Sequence, residues 1–84
     1  MAPAADIREL LHEIIRLVTE GKNQAARNLI AATCSLLGPL DLVGCRRNTV
    51  SLYLHLADRN VSEDDPTLAL ITLEVALASW LSAR

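Results

Sequence analysis

Apolar residues recur at helical spacing in four stretches of this chain, and the fourth holds more of them than one buried face requires. The first stretch predicts a helix over about 7–20. Ile7, Leu10, Leu11, Ile14, Ile15, Leu17 and Val18 share one side, and Arg8, Glu9, His12, Glu13, Arg16, Thr19 and Glu20 the other. Asp6 with Glu9 three positions later reads as a capping box, and Gly21 as the left-handed residue that stops the helix. A second helix is predicted over 22–37, with Ala25, Ala26, Leu29, Ile30, Ala32, Leu36 and Leu37 turned inward. Gly38-Pro39 then breaks the pattern, because proline has no amide donor and restricts the residue before it.

Asp41 is placed to cap a third helix over 42–58. Leu42, Cys45, Val50, Leu52, Tyr53, Leu56 and Ala57 are expected to form its broad apolar face. A polar loop is expected over 59–65, and Asp65-Pro66 opens the fourth helix, over 66–83, with a capping carboxylate and a proline at the first helical position. On a helical wheel Leu70, Leu73, Leu77, Trp80 and Leu81 lie on one side of that helix, and Leu68, Ile71 and Val75 nearly opposite. One core cannot bury both stripes, so one of them is expected to meet a second chain. No internal repeat stands out. The fold class that follows is all-α: a small single-domain four-helix bundle of two antiparallel helical hairpins, assembled as a homodimer.

The 84 residues remove only about 60–65% of the unfolded surface from water, so a shared core would add useful stability. Half the chain is apolar, yet it has no Phe and only Tyr53 and Trp80 as aromatics, which favours helices over strands. A net charge of −2 provides no field that would draw the whole chain to nucleic acid or an anionic membrane. The first six residues have neither the basic nor the apolar region of a secretory signal, so a cytoplasmic location is expected, with Cys34 and Cys45 as free thiols. Residues 68–81 are too few and too interrupted to span a membrane.

Candidate chemistry is sparse. Gly44 and Val50, six apart, with Arg46-Arg47-Asn48-Thr49-Val50-Ser51, resemble the turn and recognition helix of a helix-turn-helix DNA reader; the resemblance implies contact to DNA by Arg46, Arg47, Asn48, Ser51 and His55. It covers about 20 residues, and departs from the motif where Gly38-Pro39 falls within the preceding helix and Leu40 replaces a small residue. Asp58-Arg59-Asn60-Val61-Ser62 is similar to the opening of an EF-hand loop, but Glu63 replaces its glycine and Ala69 its bidentate Glu. His12, Cys34, Cys45 and His55 lack the close pairing of zinc ligands, and no phosphate loop or nucleophile elbow is present. No enzyme, metal or cofactor is therefore expected. Glu74, on the border of the larger stripe, is expected to keep its head in water.

The function these residues point to is a small regulatory or adaptor protein acting by protein–protein contact, with itself or with another protein. Leu68, Ile71, Leu73, Val75, Leu77 and Trp80 supply the anchors, Trp80, Leu73 and Leu77 foremost. If the Leu73 stripe is instead the intramolecular core, Leu73→Asp would unfold the protein rather than dissociate it. The alternative is a helix-turn-helix-like DNA-binding transcriptional regulator. A third possibility is a small chaperone or antitoxin that exposes its stripe to a client.

Overall fold

A computed structural model describes the backbone of residues 3–37 and 45–82 and the side chains of residues 7–37 and 48–81. Four helices follow in order, α1 (Pro3–Thr19), α2 (Asn23–Leu37), α3 (Cys45–Ser62) and α4 (Pro66–Ser82). Helix α1 packs on α2 and α4, and α3 also packs on α2 and α4, so the four close a ring around one core. The bundle measures 33 × 25 × 21 Å.

Two boundaries differ from expectation by more than one residue. Helix α1 begins at Pro3, where a missing amide donor costs nothing, so the Asp6 backbone lies inside the first turns and is not a cap. Helix α3 runs on to Ser62, and the polar loop expected over 59–65 contracts to three residues. The start expected for this helix at 42–44 lies outside the described residues, as does the end expected for α4 at 83. Asp65 does cap α4, its Oδ1 accepting the Leu68 amide at 3.2 Å.

The turns after α1 and α3 are the same structure. At the first, the Lys22 amide donates to the Leu17 carbonyl at 2.9 Å and the Gly21 amide to Val18 at 3.1 Å. At the second, Asp65 donates to Asn60 at 2.9 Å and Asp64 to Val61 at 3.1 Å. This is the Schellman pattern of paired bonds that satisfies the last carbonyls of a helix. Its left-handed residue is Gly21 (φ 75°) in one turn and Asp64 (φ 60°) in the other, 43 positions apart.

That spacing extends through the core. Ile7 and Val50, Leu11 and Leu54, Ile14 and Ala57, Val18 and Val61, Ala26 and Ala69, Ile30 and Leu73, Thr33 and Ala76, and Leu37 and Trp80 are each 43 apart, and every one is buried. Apart from Leu17 and Ser51, they make up all the buried positions among the described residues. The ring of contacts maps onto itself when α1 is exchanged with α3 and α2 with α4. Arg16 pairs with Glu20, and Arg59, 43 further on, pairs with Glu63. The chain thus contains two helix pairs of one design, Leu-His-x3-Arg-x-Val-x-Glu at Leu11–Glu20 and again at Leu54–Glu63, where the sequence alone suggested no repeat.

Hydrophobic burial is the main force holding the halves together. Leu11, Ile14, Ile30, Leu54 and Leu73 are fully buried, and each such side chain contributes about 1.5–3 kcal/mol of transfer free energy. The buried Thr33 hydroxyl donates to the Leu29 carbonyl at 2.7 Å, so its polar group has a partner inside the core. Between the halves, Arg27 of α2 reaches Asp58 of α3 at 2.9 Å.

Candidate functional site

The core register decides which apolar residues remain for the surface. On α3 the buried row is Val50, Leu54, Ala57 and Val61, which turns Leu52 and Leu56 outward, contrary to the inner face expected for them. On α4 the buried row is Ala69, Leu73, Ala76 and Trp80, with Leu70 and Leu77 packed against it. Leu73 and Trp80 therefore serve the intramolecular core, Leu77 sits at its border, and Leu81 is exposed. Of the six anchors expected on α4, Leu68, Ile71 and Val75 are the ones that face water.

Relative exposure is 57% at Leu52, 41% at Leu56, 46% at Leu68, 53% at Ile71 and 39% at Val75. The Thr72 hydroxyl donates to the Leu68 carbonyl at 2.8 Å and lies 3.2 Å from the Asn60 side-chain oxygen. That contact sets two rows side by side. Leu52, Leu56 and Asn60 follow one another at every fourth residue of α3, and Leu68, Thr72 and Val75, with Ile71 beside them, line α4. The result is an apolar face with a small polar centre. Glu74, on its flank, is exposed as expected.

The first half holds different residues at the same five positions. Glu9, Glu13, Ala25, Asn28 and Ala32 stand 43 places before Leu52, Leu56, Leu68, Ile71 and Val75. Glu13 is hydrogen-bonded to Arg16, and Asn28 accepts from Gln24 at 2.9 Å. At these five positions one architecture thus carries polar or small residues on α1–α2 and large apolar ones on α3–α4, while elsewhere α2 exposes Leu36 at 60% where α4 holds Ser79. Folding does not demand the second kind, since the first half packs without it.

A cavity of about 320 Å³ opens between α2 and α3, lined by Ile30, Ala31, Cys34, His55 and Asp58. Its volume is at the lower end of small-molecule sites. Burial pushes the Cys34 thiol above its ordinary pKa, a hydrogen bond with Ser51 works in the opposite sense, and the Asp58 charge raises it further. The protonated thiol that results is a poor nucleophile. Asp58 is already engaged by Arg27. A wider groove, about 480 Å³, lies between α1 and α2, lined by Glu9, Leu10, Glu13 and Leu36, the last exposed rather than turned inward as expected.

Three of the five residues suggested for DNA contact have described side chains. Ser51 is 5% exposed and turned toward Cys34, Asn48 is half-buried, and His55 is exposed at the cavity mouth. The side chains of Arg46 and Arg47, like Gly44 and the side chain of Cys45, lie outside the described residues. The stretch similar to a calcium loop is helical: Asp58 binds Arg27, Asn60 meets Thr72, and the Ser62 hydroxyl donates to the Arg59 carbonyl at 2.8 Å. Among the described residues no group of His, Cys, Asp and Glu has the geometry to hold a metal ion. Nor is any described helix long and apolar enough to cross a membrane. No protein-family model, curated protein or solved structure matches the chain.

Proposed function

We propose that this protein is a non-enzymatic regulatory or adaptor module that works by protein–protein contact through the α3–α4 face formed by Leu52, Leu56, Leu68, Ile71 and Val75. The observation that carries this reading is the contrast between the halves. Two helix pairs share one buried register, yet at the five positions of this face the second holds large apolar residues where the first holds two Glu, an Asn and two Ala. Exposing Leu and Ile in this way opposes solubility, and the largest contiguous apolar patch on a small soluble protein is often a functional surface. In this reading each helix pair is an antiparallel hairpin, closed by its Schellman turn, and the rigid bundle presents two parallel rows of anchors to a helical surface. The protein works in the cytoplasm with Cys34 reduced. Association with a second copy and with a different protein both fall within this function.

Photocrosslinking tests it. A benzophenone amino acid at position 71 is expected to capture a polypeptide in the native cell extract, and the same group at position 28, its counterpart in the first half, is expected to capture none. Equal labelling from both positions, or none from either, would remove the α3–α4 face as the functional surface.

A further inference from the structure

We infer that the occupant of the α3–α4 face is a second copy of this chain, packed about a two-fold axis so that the same face is buried on both protomers. The inference rests on the function proposed above and adds the identity of the partner.

The size of the face is the first argument. Its five apolar residues leave roughly 400 Å² in contact with water, judged from their fractional exposures. With the polar rim that normally surrounds such a patch, burial on each side would reach about 700 Å², close to the ~800 Å² per partner of a stable standard interface. Charge is the second. The centre of the face holds Asn60 and Thr72, which are neutral, and the nearest charges on α3, Arg59 and Glu63, are paired with each other at 3.3 Å. With no charge at its centre, the face can meet its own copy without like-charge repulsion there, the exposed Glu74 lying on its flank. The third argument is number. The first half carries Glu9, Glu13 and Asn28 in place of Leu52, Leu56 and Ile71, so among the described residues this face occurs once. A self-complementary face that occurs once closes a dimer and cannot propagate into a filament.

The test is the solution mass of the full chain by sedimentation equilibrium, for the wild type and for the double variant Leu56→Glu/Ile71→Asn, which installs the residues the first half holds at those positions. The expected result is a wild-type dimer and a variant whose dissociation constant rises by roughly 100-fold or more, with unchanged helical circular dichroism. A wild type that stays monomeric up to about 1 mM overturns the inference, and so does a dimer that the double variant leaves intact. If the double variant loses its helical signal, hydrogen exchange of the wild type in dilute and concentrated solution decides. Protection rising with concentration over 52–56 and 68–75 supports the two-fold contact, and protection that does not change there overturns it. A monomeric wild type that still captures another polypeptide from position 71 removes only the second copy as occupant. A monomer that captures nothing removes the proposed function as well.

Discussion

Gly21 and Asp64 occupy the same left-handed position in two turns with the same hydrogen-bond pattern, at φ 75° and 60°. Only one of them is a residue that adopts this conformation freely. Asp is among the few side chains that tolerate it, at a cost that glycine avoids. Asp64→Gly is therefore expected to stabilise the protein by up to about 1 kcal/mol, after the greater freedom of glycine in the unfolded chain is subtracted. Gly21→Ala is expected to destabilise by about 1 kcal/mol through backbone strain alone, because a Cβ there would meet nothing within 4 Å. Urea denaturation of the two variants checks both signs.

Leu73 and Ile71 are two residues apart on α4 and face opposite surroundings. Truncating the fully buried Leu73 to Ala leaves a cavity, and a loss of about 2–5 kcal/mol is expected. Leu73→Asp is expected to abolish the folded state, since a buried unpaired carboxylate has nothing to offset its desolvation. Ile71→Asn should leave the stability of the monomer within about 0.5 kcal/mol of wild type. Thermal melts followed by circular dichroism separate the two residues; equal losses at 71 and 73 would contradict the core register.

Acid should weaken the bundle partly through Arg16. Its guanidinium hydrogen-bonds Glu13 and Glu20, and these bonds hold both carboxyl groups below their ordinary value of 4.5. A carboxyl depressed in the folded state binds fewer protons there than in the unfolded chain, so it contributes stability above the ordinary carboxylate range. That contribution disappears as the pH falls through the depressed values. Denaturation curves measured at successively lower pH should show a shallower decline for Arg16→Met than for wild type, confined to the region below 4.5. Parallel curves would show that the exposed network contributes nothing.

Cys34 should be a sluggish thiol. Burial raises its pKa, so little thiolate exists at neutral pH. In a Cys45→Ser background, alkylation of the native protein is expected to run at least about tenfold slower than alkylation in denaturant, as read by mass spectrometry. Similar rates in the two states would mean that the cavity between α2 and α3 leaves the sulfur open.

The helical class and the four stretches could be read from apolar spacing, and Asp65-Pro66 announced the start of α4 correctly. What could not be read was which of several apolar residues on a helix the core would take. On α3 the periodicity allows either Leu52 and Leu56 or Val50, Leu54, Ala57 and Val61 to face inward, and packing against α2 and α4 selects the second set. The repeat was hidden for a related reason. Asp64 takes a backbone position that a sequence signals most clearly with glycine, so the sequence carries no clear stop at the end of α3 and the two turns differ at their left-handed residue. Aligning Leu11-His12 with Leu54-His55, and Arg16-x-Val18-x-Glu20 with Arg59-x-Val61-x-Glu63, would have exposed it. Leu68, Ile71 and Val75 were legible as a surplus stripe, but their exposure depended on Leu73 and Trp80 winning the core.

The repeated core is not an identical one, and its mismatches are in side-chain volume. Ile14 corresponds to the smaller Ala57, and Leu37 to the larger Trp80. A bundle assembled from two first halves would contain Ile14 and Leu37 twice, with no Ala or Trp at those sites. One assembled from two second halves would have to house two indoles. Close-packed interiors respond to volume changes of a single methylene, so neither duplicate would contain the set of side-chain volumes that fills this core. The two like modules thus carry distinct core volumes as well as distinct outer surfaces.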